Sequence, residues 1–119
     1  QSDMITMHMP LTSESRHLLN REAFSKMKDG VYIVCAARGG VIDEDALLEA
    51  LNSGKVAGAA LDVFATEPPG ETELVAHPHV IDTPHVGAQT VEAQTRAAHD
   101  IAEEVLNALA GKPLRWKVA

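Results

Sequence analysis

The sequence predicts an α/β fold built on a parallel sheet, and two observations carry that expectation. Short apolar runs stand at Met4 to Met9, Val31 to Cys35, Val56 to Val63 and Val80-Ile81, and stretches with helical spacing separate the first three. Strands that alternate with helices pair in parallel through crossovers. The third run, Val56-Ala57-Gly58-Ala59-Ala60-Leu61-Asp62-Val63, is continuously apolar and small-sided up to its end, which suits a strand covered on both faces by helices.

The elements follow in order. Met4 to Met9 is a strand stopped by Pro10. Asn20 to Met27 has a short helical patch in Ala23, Phe24 and Met27, closed by Lys28-Asp29-Gly30. Val31-Tyr32-Ile33-Val34-Cys35 is rich in β-branched and aromatic residues and reads as the strongest strand. Its exit, Ala36-Ala37-Arg38-Gly39-Gly40, has paired glycines that permit a tight turn. Asp43 is an N-cap for a helix with Ala46, Leu47, Ala50 and Leu51 on one face, and Gly54 stands where the C-terminal cap belongs. After the third strand, Thr66 to Pro78 is a polar loop around Pro68-Pro69-Gly70, and Val80-Ile81 is a last short strand broken by Pro84. From Val91 to Leu109 apolar residues recur at helical spacing until Gly111 and Pro113, so this stretch reads as a core-facing packing helix.

Composition narrows the function. With 10 basic and 17 acidic residues the formal charge is −7, and no basic patch is visible, which argues against nucleic acid or an anionic membrane as partner. Hydrophobic residues make up 45% and charged residues 23%, so a folded, soluble domain is expected. No apolar run reaches the ~20 residues needed to span a bilayer. The single cysteine, Cys35, cannot form an intrachain disulfide; it suits a reducing, cytoplasmic setting and reads as a core-facing strand residue. Gln1-Ser2-Asp3 leads almost at once into an apolar run with no initiator methionine, as if the chain were cut in mid-domain.

In open parallel sheets ligands sit at the C-terminal strand ends. The residues there are Met9-Pro10, Ala36-Ala37-Arg38, Asp62 and His85. Arg38 could grip a carboxylate through two parallel hydrogen bonds, or simply cap carbonyls or pair with a helix carboxylate. Asp62 ends an apolar strand and needs a partner, which a helix N-cap, a salt bridge or a ligand would equally supply. Glu67 precedes Pro68-Pro69 and His85 follows Pro84, so both sit in stiffened loops. A glutamate on one ring nitrogen fixes the histidine tautomer and leaves the other nitrogen to move a proton, although a lone histidine is more often a surface residue. His77 and His79 lack a second ligand pair at zinc spacing, so no metal is expected.

His8-Met9-Pro10-Leu11-Thr12, Leu18-Leu19-Asn20, Cys35-Ala36-Ala37-Arg38-Gly39-Gly40-Val41-Ile42-Asp43-Glu44, Ala59-Ala60-Leu61-Asp62-Val63-Phe64 with Glu67-Pro68, and Thr83-Pro84-His85-Val86-Gly87-Ala88 occur in one order. That order and spacing resemble the D-2-hydroxyacid dehydrogenase family over nearly the whole chain, and most resemble its members that oxidise D-3-phosphoglycerate on the phosphorylated route to serine. Glyoxylate or hydroxypyruvate reductases and a corepressor-type relative are the alternatives within the family. Glu67 argues against a formate dehydrogenase, which has an amide in that place. The resemblance implies a Rossmann-like fold: residues 1–119 would be the C-terminal half of an NAD-binding domain, and 90–111 a long helix returning to a substrate domain.

It also implies roles. Arg38 would hold the substrate's carboxylate and carbonyl, His85 would exchange the hydroxyl proton, and Glu67 would orient His85. Asp62 would accept from the nicotinamide carboxamide, with backbone at Met9, Pro10, Ala36, Ala37, Arg38 and from His85 through Gly87 and Ala88 lining NAD. The implied partners are a small 2-hydroxy acid, the missing N-terminal half and further copies of the chain. The sequence departs from the family at Val34 or Cys35, Met9 and Gln89, where Asn, Thr or Val, and Ser are common. It also contains no Gly-x-Gly-x-x-Gly and no acidic residue ending a following strand. In isolation the chain is therefore expected to be a non-catalytic α/β module, with the stripe of its long helix partly uncovered.

Overall fold

A computed structural model of the chain describes residues 2–117; Gln1, Val118 and Ala119 lie outside the described residues. The chain divides into two compact units, Gln1–Val86 and Gly87–Ala119. The first contains β1 (Met4–Met7), α1 (Arg21–Ser25), β2 (Val31–Cys35), α2 (Glu44–Asn52), β3 (Val56–Leu61) and β4 (Val80–Asp82). Its strands form one sheet in the order β1-β2-β3-β4, and every neighbouring pair is parallel.

Local chemistry starts the helices where the sequence places them and stops α2 there too, whereas α1 ends at Ser25, short of the expected Met27. The Asn20 side chain accepts from Ala23 N at 3.0 Å to open α1, and Asp43 accepts from Ala46 N at 3.1 Å to open α2. Glu44 and Asp45 in the first turn of α2 complement the positive end of the helix dipole. Beyond the C-cap Ser53, Gly54 takes the left-handed conformation (φ 75°) that ends a helix without steric cost. Along β2 and β3 the inward side chains Val31, Ile33, Cys35, Val56, Ala59 and Leu61 are all buried, in one core with Leu47, Ala50 and Leu51 of α2 and Phe24 of α1. Leu47 is fully buried, at 0% exposure.

Three expectations need correction. β1 stops at Met7 instead of Met9, and β3 at Leu61 instead of Val63. Val63 and Phe64 remain buried after the chain leaves the sheet, so the apolar run outlasts the strand because the following loop also packs on the core. The sheet is not covered on both faces among the described residues, since Met4, Tyr32 and Ile81 of the opposite face are 59%, 52% and 71% exposed.

The second unit is built on α3 (Val91–Leu109), opened by Thr90, whose hydroxyl accepts from Ala93 N at 3.1 Å. The expected core-facing role is not met: no described residue of α3 is buried, and Val91, Ile101, Val105 and Leu109 are exposed. Beside the helix, the Glu104 carboxylate accepts from the Arg115 and Trp116 backbone N–H groups. One helix and a short tail supply no second layer on which to bury an apolar stripe. No helix among the described residues is long and apolar enough to cross a membrane.

Candidate active site

The four strands of the first unit end on one rung. Met7 is paired with Cys35, Cys35 with Leu61, and Leu61 with Asp82. The ladder runs one bond further, from Ala36 N to Met7 O, Asp62 N to Cys35 O and Thr83 N to Leu61 O. Because the sheet is parallel, every candidate loop of this unit leaves from the same edge, with neighbouring strands about 4.8 Å apart.

On the loops after β3 and β4, His85 Nδ1 lies 2.8 Å from Glu67 Oε2. The other glutamate oxygen, Oε1, accepts from the Phe64 backbone N–H at 3.0 Å. The hydrogen bond to His85 is the main reason that the Glu67 carboxyl lies below its ordinary value, and the Phe64 N–H adds to the effect. An ionised carboxylate only accepts, so His85 Nδ1 carries the proton of this bond. His85 itself has a left-handed backbone (φ 54°), uncommon for a residue with a side chain.

Asp62 holds that backbone. Its Oδ1 accepts from Thr83 Oγ1 at 2.5 Å and from Val86 N at 2.7 Å. Of the three roles open to Asp62 in the sequence, neither helix cap nor salt bridge describes these two bonds. Thr83 and the Phe64 N–H were not visible as site groups in the sequence; the Thr-Pro-His spacing marks the former only once Asp62 is known to face it.

Arg38 is on the same edge, after β2. Its turn closes through Val41 N to Arg38 O at 3.3 Å, with Gly40 in the left-handed region at φ 84°. Behind it, Gly40 O and Val41 O accept from His17 N and Leu19 N. The guanidinium donates to Ala37 O at 2.7 Å, and among the described residues no bond joins it to Glu67 or His85. A cleft of about 240 Å³ lies between the two loops, lined by Asp62, Phe64, Glu67, Pro68, Pro69, Asp82, Thr83, Pro84 and His85. Glu44 steadies its wall by accepting from Ala65 N at 2.6 Å.

The remaining candidates differ in setting. Met9 packs partly against the core while Pro10 is exposed, Ala36 is half-buried and Ala37 buried. Gly87 and Ala88 belong to the second unit and are exposed. Cys35 is buried, and burial raises its thiol pKa. His77 Nδ1 accepts from His79 N at 3.2 Å. Among the described residues, the side chains of metal-ligand type that gather in a group of three are His99, Asp100 and Glu103 on α3.

Residues 1–87 match the profile of the D-isomer specific 2-hydroxyacid dehydrogenase, NAD binding domain. The chain belongs to this family. Of its relatives, D-3-phosphoglycerate dehydrogenase of Bacillus subtilis is 57% identical over 113 residues, covering 95% of this chain and 22% of that protein. Hydroxypyruvate reductase of Thermotoga maritima is 50% identical over 112 residues, 92% of this chain and 37% of that protein. Among solved structures, a D-lactate dehydrogenase of Treponema pallidum superposes with a TM-score of 0.92 at 39% identity, over 99% of this chain and 40% of that one.

The chain thus spans between about a fifth and two fifths of the relatives it matches. The parallel α/β fold and the NAD-binding family expected from the sequence are both borne out. A fold shared with a lactate enzyme at this TM-score does not choose a substrate.

Proposed function

We propose that the chain supplies the substrate-gripping and proton-transferring side of an NAD-dependent D-2-hydroxyacid dehydrogenase acting on D-3-phosphoglycerate. The observation that carries this reading is the 2.8 Å bond between His85 Nδ1 and Glu67 Oε2 at the C-terminal edge of a parallel sheet. With Nδ1–H committed to an ionised glutamate, Nε2 keeps its lone pair. Nε2 then takes the hydroxyl proton of the 2-hydroxy acid as the carbonyl forms, and returns it to the alkoxide in reduction. Arg38 grips the carboxylate, since its bond to Ala37 O leaves most of the five guanidinium N–H donors to offer.

Bound NAD would accept the hydride from the carbinol carbon, so that the alcohol loses a hydride and a proton in all. The cleft fits the nicotinamide end. Asp62, Glu67 and Asp82 line it with no lysine or arginine among its residues, which suits a cationic ring and an amide donor and does not suit a pyrophosphate. Asp62 and the backbone at Met9, Pro10, Ala36 and Ala37 would hold that end. The sequence has no Gly-x-Gly-x-x-Gly to place a pyrophosphate on a helix N-terminus, so the 119 residues alone are read as non-catalytic. They would work with an N-terminal half, with the 90–111 helix reaching towards a substrate domain, in a cytoplasmic homo-oligomer of serine biosynthesis.

The 57% identity to the Bacillus subtilis D-3-phosphoglycerate dehydrogenase supports the substrate choice, and hydroxypyruvate reductase, whose 50% falls among the 48–57% of the phosphoglycerate enzymes, is the alternative. Assay of the complete enzyme against D-3-phosphoglycerate, glycerate and glyoxylate tests it, and a preference for either of the last two would overturn it. His85→Ala should lower kcat by roughly 10²- to 10⁴-fold. Near-normal turnover would remove His85 from the mechanism. Titration of the 119-residue chain with NAD should show only weak binding, and tight saturable binding would refute the non-catalytic reading.

A further inference from the structure

His85 cannot hold its own conformation by local preference. It sits at φ 54° immediately after a proline, and its N–H donates to Thr83 O at 2.9 Å, two residues back, which closes a very tight turn. The residues on either side of that turn converge on one atom, because Thr83 Oγ1 and Val86 N both donate to Asp62 Oδ1. Thr83 is also the last residue tied to the sheet here, through its N–H to Leu61 O at 3.0 Å. One carboxylate oxygen therefore clasps both ends of Thr83-Pro84-His85-Val86. Of the two tethers one is backbone, which any residue other than proline supplies, and the other is a hydroxyl.

We propose that Thr83 is a positioning residue for His85: its hydroxyl, bound to Asp62, holds the left-handed turn that delivers the imidazole to Glu67. The proposal rests on the reading of His85 as the proton carrier. Removing the hydroxyl leaves the loop held at Val86 and, at Thr83, by the backbone bond to Leu61 O alone, so the Thr83 side of the clasp on Asp62 opens and Nδ1 loses its fixed distance from Glu67 Oε2. A tautomer fixed by a single hydrogen bond is lost when that bond becomes intermittent. Serine retains the donor, while valine keeps the shape and removes it.

The test is ¹⁵N NMR of the histidine ring nitrogens in the 119-residue chain, with His85 assigned by the loss of its signals in His85→Ala. The expected result is a single Nδ1–H tautomer in the native chain, retained in Thr83→Ser. In Thr83→Val the two ring shifts should move towards each other while the methyl signals of Val31 and Leu47 stay in place. In the complete enzyme the same valine variant should lower kcat roughly 10- to 100-fold with KM little changed. Native ring shifts in Thr83→Val, a serine variant that behaves like valine, or unchanged kcat would each overturn the proposal. So would unfolding of both Thr83→Val and Thr83→Ala with serine folded, since the hydroxyl would then serve the fold as a whole. Mixed tautomers in the native chain would overturn the Glu67–His85 reading as well, which separates that failure from the others.

Discussion

Gly39 approaches Phe64 so closely that a Cβ on the glycine would fall 1.8 Å from the Phe64 carbonyl oxygen. Backbone touches backbone at this point, and the contact joins two parts of the site. Gly39 follows Arg38, while the N–H of Phe64 anchors Glu67. Gly39→Ala should therefore push the two loops apart and destabilise the first unit by about 1–3 kcal/mol. Denaturant melts measure the loss, and a variant as stable as the native chain would show that the approach is not enforced.

The Glu67 carboxyl makes a pH prediction. Its pKa lies below the ordinary 4.5, with the His85 hydrogen bond as the largest cause. A carboxyl lowered in the folded state contributes stability above its unfolded pKa and loses it as pH falls through the folded one. A ¹³C titration should place the Glu67 midpoint below 4.5 in the native chain and move it up towards that value in His85→Ala. An unmoved midpoint would mean that another group sets it.

Arg38→Lys separates binding from folding. The guanidinium is exposed and bonds to Ala37 O, so stability should change by no more than about 0.5 kcal/mol. A lysine cannot form the two parallel bonds of a guanidinium, and KM for the 2-hydroxy acid in the complete enzyme should rise roughly 10- to 100-fold. Equal KM values would take Arg38 out of substrate binding.

Leu47→Ala and Leu106→Ala contrast the two units. Leu47 has 0% exposure, and its truncation should cost about 2–5 kcal/mol. Leu106 on α3 is 67% exposed, and its loss should fall within about 0.5 kcal/mol in this chain. Comparable losses in a melting series would contradict the burial pattern.

Much of this was legible in the sequence because the informative residues act locally. Asn20, Asp43 and Gly54 mark helix ends through bonds or dihedrals within a few residues, and the strands show as apolar runs. Glu67 and His85 could be suspected from their prolines. Their pairing could be suspected too, but not its geometry, since it spans 18 residues of chain and depends on where two strands stop. The same holds for Asp62, whose partners lie 21 and 24 residues away. The apolar stripe of α3 suggested a core-facing helix, and only the resemblance suggested that it would be partly uncovered: periodicity says that a helix has a face to bury and nothing about whether its cover is at hand.

The common rung on which Met7, Cys35, Leu61 and Asp82 stop also sets which insertions and deletions the protein can absorb. A residue added to the Thr66 to Pro78 loop lengthens a surface connection and leaves that baseline where it is. One deleted within β2 draws the Arg38 turn back by about 3.3 Å and sends each displaced side chain to the opposite face. Change in length is thus confined to the connections, and the strands behave as fixed rulers against which the candidate site groups are measured.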